Sequence, residues 1–215
     1  MIIAIDGPSA SGKSTTAKGV SEKLGITHLD TGAMYRAVTW EIIEFDIDIS
    51  DKNIIEKYLN TVKMYFDSSN DIFINGRNVF KKIRKSKISS KVSEISAIPK
   101  IRKKMVEIQR DIGSRGDCVL EGRDIGTVVF PNADFKFFLI ADVLVRAKRR
   151  LNELQSLNEK CSLNEIIDNI KYRDEMDSQR KHSPLIKAED AIIIDTGQIT
   201  INEQIDKIIE IINKK

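Results

Sequence analysis

Residues 2–15 read IIAIDGPSASGKST, an apolar run that ends in Gly7-Pro8-Ser9-Ala10-Ser11-Gly12-Lys13-Ser14. The spacing fits the phosphate-loop pattern GxxxxGK followed by Ser or Thr at every fixed position. A loop that wraps a polyphosphate must aim successive backbone N–H groups inward and let the backbone pass close to oxygen atoms. Gly7 and Gly12 permit that path. Lys13 then places an ammonium on the β- and γ-phosphates, the Ser14 hydroxyl is a Mg²⁺ ligand directly or through water, and a helix opening near residue 13 adds its positive dipole end. The expected strand is Ile2–Ile5, and the composition of 14–24 suits a helix.

Further short apolar runs stand at 118–120, 135–141 and 191–194, separated by helical stretches. Nearly continuous apolar strands alternating with helices signal a parallel sheet covered on both faces, with ligands at the carboxyl ends of its strands. The expected class is therefore α/β, of the P-loop nucleoside triphosphate hydrolase type. Residues 60–81 break the rhythm, alternating apolar and polar side chains around Asp67–Asp71 with a second turn at Asn75-Gly76. That pattern predicts a small antiparallel sheet inserted into the main domain. Helices at 86–96 and 99–113 should return the chain, Pro99 suiting a first turn.

Of the 215 residues, 41% are hydrophobic and 31% charged, the balance of a globular chain long enough for a sizeable core. No run approaches the roughly 18 apolar residues of a membrane span. The start lacks a signal peptide, so a cytoplasmic location is expected. A net charge of +3 does not mark a nucleic-acid binder. The basic run Lys81–Lys87 reads first as a solvated face. Cys118 and Cys161 form no CxxC pattern, and His28 and His182 lack companions at metal-ligand spacing, so all four read as packing or solvated residues.

Three constellations supplement the loop. In Leu29–Arg36, a threonine at a helix start and an arginine about one turn on, Thr31 and Arg36, can share a phosphate. Glu121–Thr127 follows an expected central strand: Glu121 can hold Mg²⁺ through water, Arg123 a phosphate, and Asp124 a hydrogen bond from a base or sugar. On a helix at about 100° per residue, Arg173, Asp177 and Arg180 fall within about a 60° sector, a clamp for phosphates and a sugar hydroxyl or an ordinary set of helical ion pairs.

These residues resemble the bacterial cytidylate kinases among the nucleoside monophosphate kinases. The resemblance rests on IDGPSASGKST at 5–15, LDTGAMYRA at 29–37, IPKIR at 98–102, GRDIGTVVFPNAD at 122–134, RDEMD at 173–177 with Arg180, and SPL at 183–185, in the family's order over nearly the whole chain. It implies transfer of the γ-phosphoryl of MgATP to CMP or dCMP. UMP or AMP as acceptor, and a non-enzymatic nucleotide switch, are the alternatives; a GTPase switch would need DxxG and NKxD, absent here.

The same resemblance implies the residue roles. Gly7 to Thr15 bind ATP, with Arg149 and Arg150 near the adenine. Thr31, Arg36, Arg123 and Arg180 hold the acceptor phosphate; Ser93, Arg102 and Asp124 read the cytosine edge; Arg173 and Asp177 engage the sugar. Lys13, Arg123, Arg173 and Arg180 act in the transfer. The implied organisation is one kinase domain with its core at 1–59, 114–159 and 187–215, an acceptor-binding insert at 60–113 and a lid at 160–186, working as a monomer without nucleic-acid or membrane partners. The chain departs from the family pattern at Glu121, where Asp is usual, at Thr31, where Ser is frequent, and at Met176, where a further arginine occurs.

Overall fold

A computed structural model of the chain describes residues 1–67, 69–156, 159 and 161–214. Ser68 of the expected Asp67–Asp71 turn and Lys160 at the expected start of the lid lie outside the described residues. In chain order the elements begin β1 (Ile2–Asp6), α1 (Lys13–Leu24), β2 (Thr27–Asp30), α2 (Thr31–Glu44), α3 (Lys52–Thr61), β3 (Met64–Phe66), β4 (Ile72–Ile74), β5 (Arg77–Asn78), α4 (Ser86–Ser96) and α5 (Pro99–Gly113). They continue β6 (Cys118–Gly122), a π-turn (Ile125–Val129), β7 (Phe135–Ile140), α6 (Val143–Ser156), α7 (Leu163–Ser178), β8 (Ile192–Asp195) and α8 (Ile201–Asn213).

The chain divides into two compact units: Met1–Leu29 with Gly113–Lys215, and Asp30–Ile112. The larger unit is built on a five-stranded sheet in the order β2-β6-β1-β7-β8, with β1 parallel to β6 and β7, and β7 parallel to β8. Ile5 pairs with Glu121 and Asp6 with Gly122, so the residues that end β1 and β6 leave the sheet side by side. Ile3, Ile5, Val119, Phe137, Leu139 and Ile194 from the sheet pack with Ala17 and Val20 of α1 and Ile205 and Ile208 of α8. The spacing Ile201, Ile205, Ile208 gives α8 its apolar face, and a Thr200–Glu203 capping box fixes its start. A second cluster joins Ala147 and Leu154 of α6 to Ile166 and Ile170 of α7.

The expected strands and helices are present, with two corrections. β2 was not expected; it is short and buries only Leu29 fully, so no apolar run announces it. The expected buried strand at 191–194 is an edge strand in which only Ile194 is buried, because β8 has one neighbour.

In the smaller unit, β3, β4 and β5 form the antiparallel sheet expected from the alternation at 60–81. Asn75 and Gly76 both take positive φ, 48° and 78°, as a two-residue hairpin turn requires. Tyr65 and Phe73, opposite each other in register, stack with centroids 4.8 Å apart. The fully buried Glu41 of α2 accepts from Tyr58 Oη at 3.0 Å, Asn75 Nδ2 at 3.0 Å and Arg77 Nη1 at 3.2 Å, tying α2, α3 and the hairpin together. Within the basic run Ile83 is buried, Lys82 lies over Trp40 and Arg84 over Phe80, so these side chains serve packing.

Candidate active site

The phosphate loop of the larger unit leaves β1 at Gly7 and enters α1 at Lys13. A Cβ at Gly7 would stand 2.2 Å from the Leu139 carbonyl oxygen of β7, so the first glycine is a steric requirement. Gly12 has φ 95°, the left-handed backbone that launches α1. Lys13 Nζ donates to Pro8 O at 2.7 Å and Ser11 Oγ at 3.3 Å, folding the ammonium over the loop. Burial first, and the Arg123 charge second, lower its pKa from 10.5 to about 7. A polyphosphate in the loop would restore the charged form.

Residues outside the motif hold the loop in place. Thr196, just past β8, donates through Oγ1 to Ser11 O at 2.9 Å, and Arg149 of α6 donates to Thr196 Oγ1 at 3.0 Å and to Thr196 O. Arg149 thus braces the loop from behind, while Arg150 pairs with Glu153 on its own helix at 2.8 Å. The Ser9 N–H donates to Asp174 of α7 at 3.0 Å, and Arg146 donates to both Ser9 O and Asp174.

At the carboxyl end of β6, Glu121 accepts from Ser14 Oγ at 2.6 Å through Oε2, and its Oε1 lies 3.1 Å from His28 Nε2. A hydroxyl and a carboxylate side by side are hard oxygen donors, which suit Mg²⁺ held through one carboxylate, waters and substrate phosphates. Among the described residues no group of three or more His, Cys, Asp or Glu side chains is arranged to hold a metal.

The segment after β6 is set by Asp6. Its carboxylate accepts from the Ile125 N–H at 2.9 Å and the Gly126 N–H at 2.8 Å, anchoring the π-turn that follows Asp124. Burial pushes the Asp6 pKa up from 3.8 to about 6, against these two hydrogen bonds.

Arg123, Asp177 and Arg180 are brought together. Arg123 Nε donates to Asp177 Oδ2 at 2.8 Å, and Arg180 Nη2 donates to Oδ1. Burial opposes the Asp177 charge, but Arg123, Arg180 and then Arg173 hold its pKa below the usual carboxylate range. Burial likewise opposes the Arg123 charge, and Asp177 more than offsets it. Arg180 is not on the helix, as the periodicity suggested: α7 ends at Ser178, and the chain turns back so that the Leu185 N–H donates to Asp177 O at 2.8 Å and Leu185 is buried.

In the smaller unit, Thr31 opens α2 and is buried, and Asp30 caps it by accepting from the Ala33 N–H at 2.7 Å. Arg36 donates to the same Asp30 at 3.1 Å, which places its guanidinium at the helix N-terminus. Ser93 of α4 and Arg102 of α5 are buried polar residues. Arg102 donates to Ser96 O at 3.2 Å and lies over the Tyr35 ring at 5.2 Å, a guanidinium fixed in one plane.

Sequence reading missed Asp6, His28, Arg146, Asp174 and Thr196 as contributors. Their signal is the partner across the fold, not local spacing: 93 positions separate His28 from Glu121 and 165 separate Ser9 from Asp174.

The site can be set beside known proteins. A family model described as cytidylate kinase matches residues 3–214. The chain is 48% identical over 210 residues to a cytidylate kinase of Acholeplasma laidlawii, covering 98% of this chain and 94% of that protein. It is also 48% identical to a bifunctional pantoate ligase/cytidylate kinase of Prochlorococcus marinus, covering 100% of this chain but 43% of that protein. The crystal structure of an uncharacterized protein from Eubacterium ventriosum aligns over 100% of this chain and 99% of its own, with TM-score 0.55 and 13% identity, a likeness of fold alone. With its phosphate loop, arginine cluster and near full-length match, the chain belongs to the cytidylate kinase family.

Proposed function

We infer that this chain transfers the γ-phosphoryl group of ATP to CMP, giving ADP and CDP. The observation that carries the reading is the phosphate loop whose Lys13 feels the Arg123 charge, with Arg123 itself locked to Asp177 and Arg180. A loop for a donor polyphosphate and a cluster of guanidiniums for further phosphate oxygens are thus combined in one unit.

The acceptor oxygen needs no general base. A phosphomonoester has a second pKa of about 6 and is mostly ionised at pH 7. Catalysis is then positioning and charge neutralisation about an in-line transfer. Loop amides between Ala10 and Thr15, with the Lys13 ammonium, hold the donor phosphates, while Arg123, Arg173 and Arg180 neutralise charge on the group in flight. Arg149, bound to Thr196 at the back of the loop, sets the ATP side with Arg150.

Thr31 and Arg36 bind the acceptor phosphate at the start of α2, and Ser93, Arg102 and Asp124 read the cytosine edge. Asp177, with lone pairs left after its two arginines, accepts from the sugar beside Arg173. Mg²⁺, held through Ser14 and Glu121, supplies neutralisation of the donor phosphates when bound. Residues 160–186 serve as a lid that keeps water from the donor, and the chain acts as a monomer. Acceptance of dCMP beside CMP follows from recognition through the base edge.

The test is ADP formation from MgATP with CMP, dCMP, UMP, AMP or GMP and a no-acceptor control. Selective stimulation by CMP and dCMP is expected; acceptor-independent release, or preference for another nucleotide, would overturn the reading.

A further inference from the structure

We propose that His28 is a positioning residue that fixes the Glu121 carboxylate in the orientation through which ATP binding becomes Mg²⁺-dependent. The proposal rests on the reading of Ser14 and Glu121 as the metal side of a nucleotide kinase site. Glu121 ends β6, which lies between β2 and β1 in the sheet. It is therefore approached from both sides: His28 comes from β2, and Ser14 from α1, the helix that follows β1.

Both carboxylate oxygens are engaged. Ser14 Oγ donates to Oε2 at 2.6 Å, and His28 Nε2, in the tautomer that carries its proton there, donates to Oε1 at 3.1 Å. The His28 and Glu121 side chains are only 9% and 5% exposed, so water competes little for either contact. A glutamate at this place has one more rotor than an aspartate, and free rotation would carry its oxygens away from the Ser14 hydroxyl. The imidazole removes that freedom. Outer partners of this kind orient a carboxylate toward a metal shell and typically change metal affinity by about 10–100-fold when removed.

The test compares wild type, His28→Ala, His28→Gln and Glu121→Gln by calorimetric titration of ATP with Mg²⁺ and with EDTA, alongside thermal melts. Mg²⁺ is expected to tighten ATP binding to wild type, and His28→Ala to lose about tenfold of that tightening while ATP affinity in EDTA stays near wild type, the melts showing that the variant is folded. His28→Gln, whose amide can donate to the same oxygen, should restore most of it. An equal loss of affinity with and without Mg²⁺, or unchanged Mg²⁺ dependence in His28→Ala, would overturn the proposal. Should His28→Ala fail to fold, His28→Leu, which fills the space without a donor, decides: about the same tenfold loss is expected, and Mg²⁺ dependence equal to that of wild type refutes the role. A wild type whose ATP binding ignores Mg²⁺ would instead refute the metal reading on which the proposal rests.

Discussion

Asp177 Oδ2 accepts from Arg123 Nε at 2.8 Å across 54 positions of sequence, and its other oxygen takes Arg180. One buried carboxylate therefore sets the direction of two guanidiniums. Asp177→Ala would take their shared carboxylate from both, and breaking such a buried pair costs about 3–5 kcal/mol. Chemical denaturation should show a loss of that size together with loss of turnover. The pH sign follows from the lowered native pKa: the stabilisation is present above the unfolded value of about 3.9 and is lost as pH falls through the lower native value. Wild type and Asp177→Asn should therefore converge in stability toward acid, and a gap that widens there would contradict the assignment.

Lys13 releases its proton at about 7 in the native chain and at 10.5 when unfolded. Between those values the unfolded chain holds more protons, so this group's contribution to stability increases as pH rises through the window. ATP phosphates should recharge it. Calorimetry at about pH 8 in buffers of different ionisation enthalpy should then report uptake approaching one proton per ATP, in line with the shift. Binding without proton uptake would contradict a neutral Lys13 in the free protein.

Asp6 has the opposite acid–base sign from Asp177. Its native pKa of about 6 lies above the ordinary 3.8, so its contribution is fully present below 3.8 and is lost as pH rises through 6. Carboxyl NMR should place its midpoint near 6. Asp6→Ala leaves the Ile125 and Gly126 N–H groups unpaired in the interior, a loss of about 1–3 kcal/mol for each group. A midpoint below 4, or wild-type stability in the variant, would count against this anchoring role.

Arg149→Ala removes the hydrogen bonds that brace Thr196 behind the loop. KM for ATP is expected to rise about tenfold, the size of one or two net hydrogen bonds, while KM for CMP stays close to wild type. Steady-state kinetics with each substrate varied in turn reads the difference, and an equal rise in both constants would rule out an ATP-side role.

Much of the fold was legible because its signals are local. The Gly7–Ser14 loop, α4 at Ser86–Ser96 and α5 at Pro99–Gly113 carry their own punctuation and periodicity. β2 escaped because an edge strand with one fully buried side chain need not be apolar. The placement of Arg180 beyond α7 escaped because burial of Leu185, not helical spacing, turns the chain there. Within the site, Lys13, Ser14, Arg123 and Asp177 could be named from motifs and resemblance. Asp6, His28 and Thr196 matter through partners on distant strands and loops, which only the sheet order brings beside them.

Phosphorus NMR of MgATP and CMP incubated with wild type, and with folded Lys13→Ala, follows the phosphoryl group itself from donor to acceptor. CDP and ADP should appear in equal amounts with wild type, and at no more than background rate with the variant. Release of inorganic phosphate without CDP, or wild-type CDP formation by Lys13→Ala, would contradict the account.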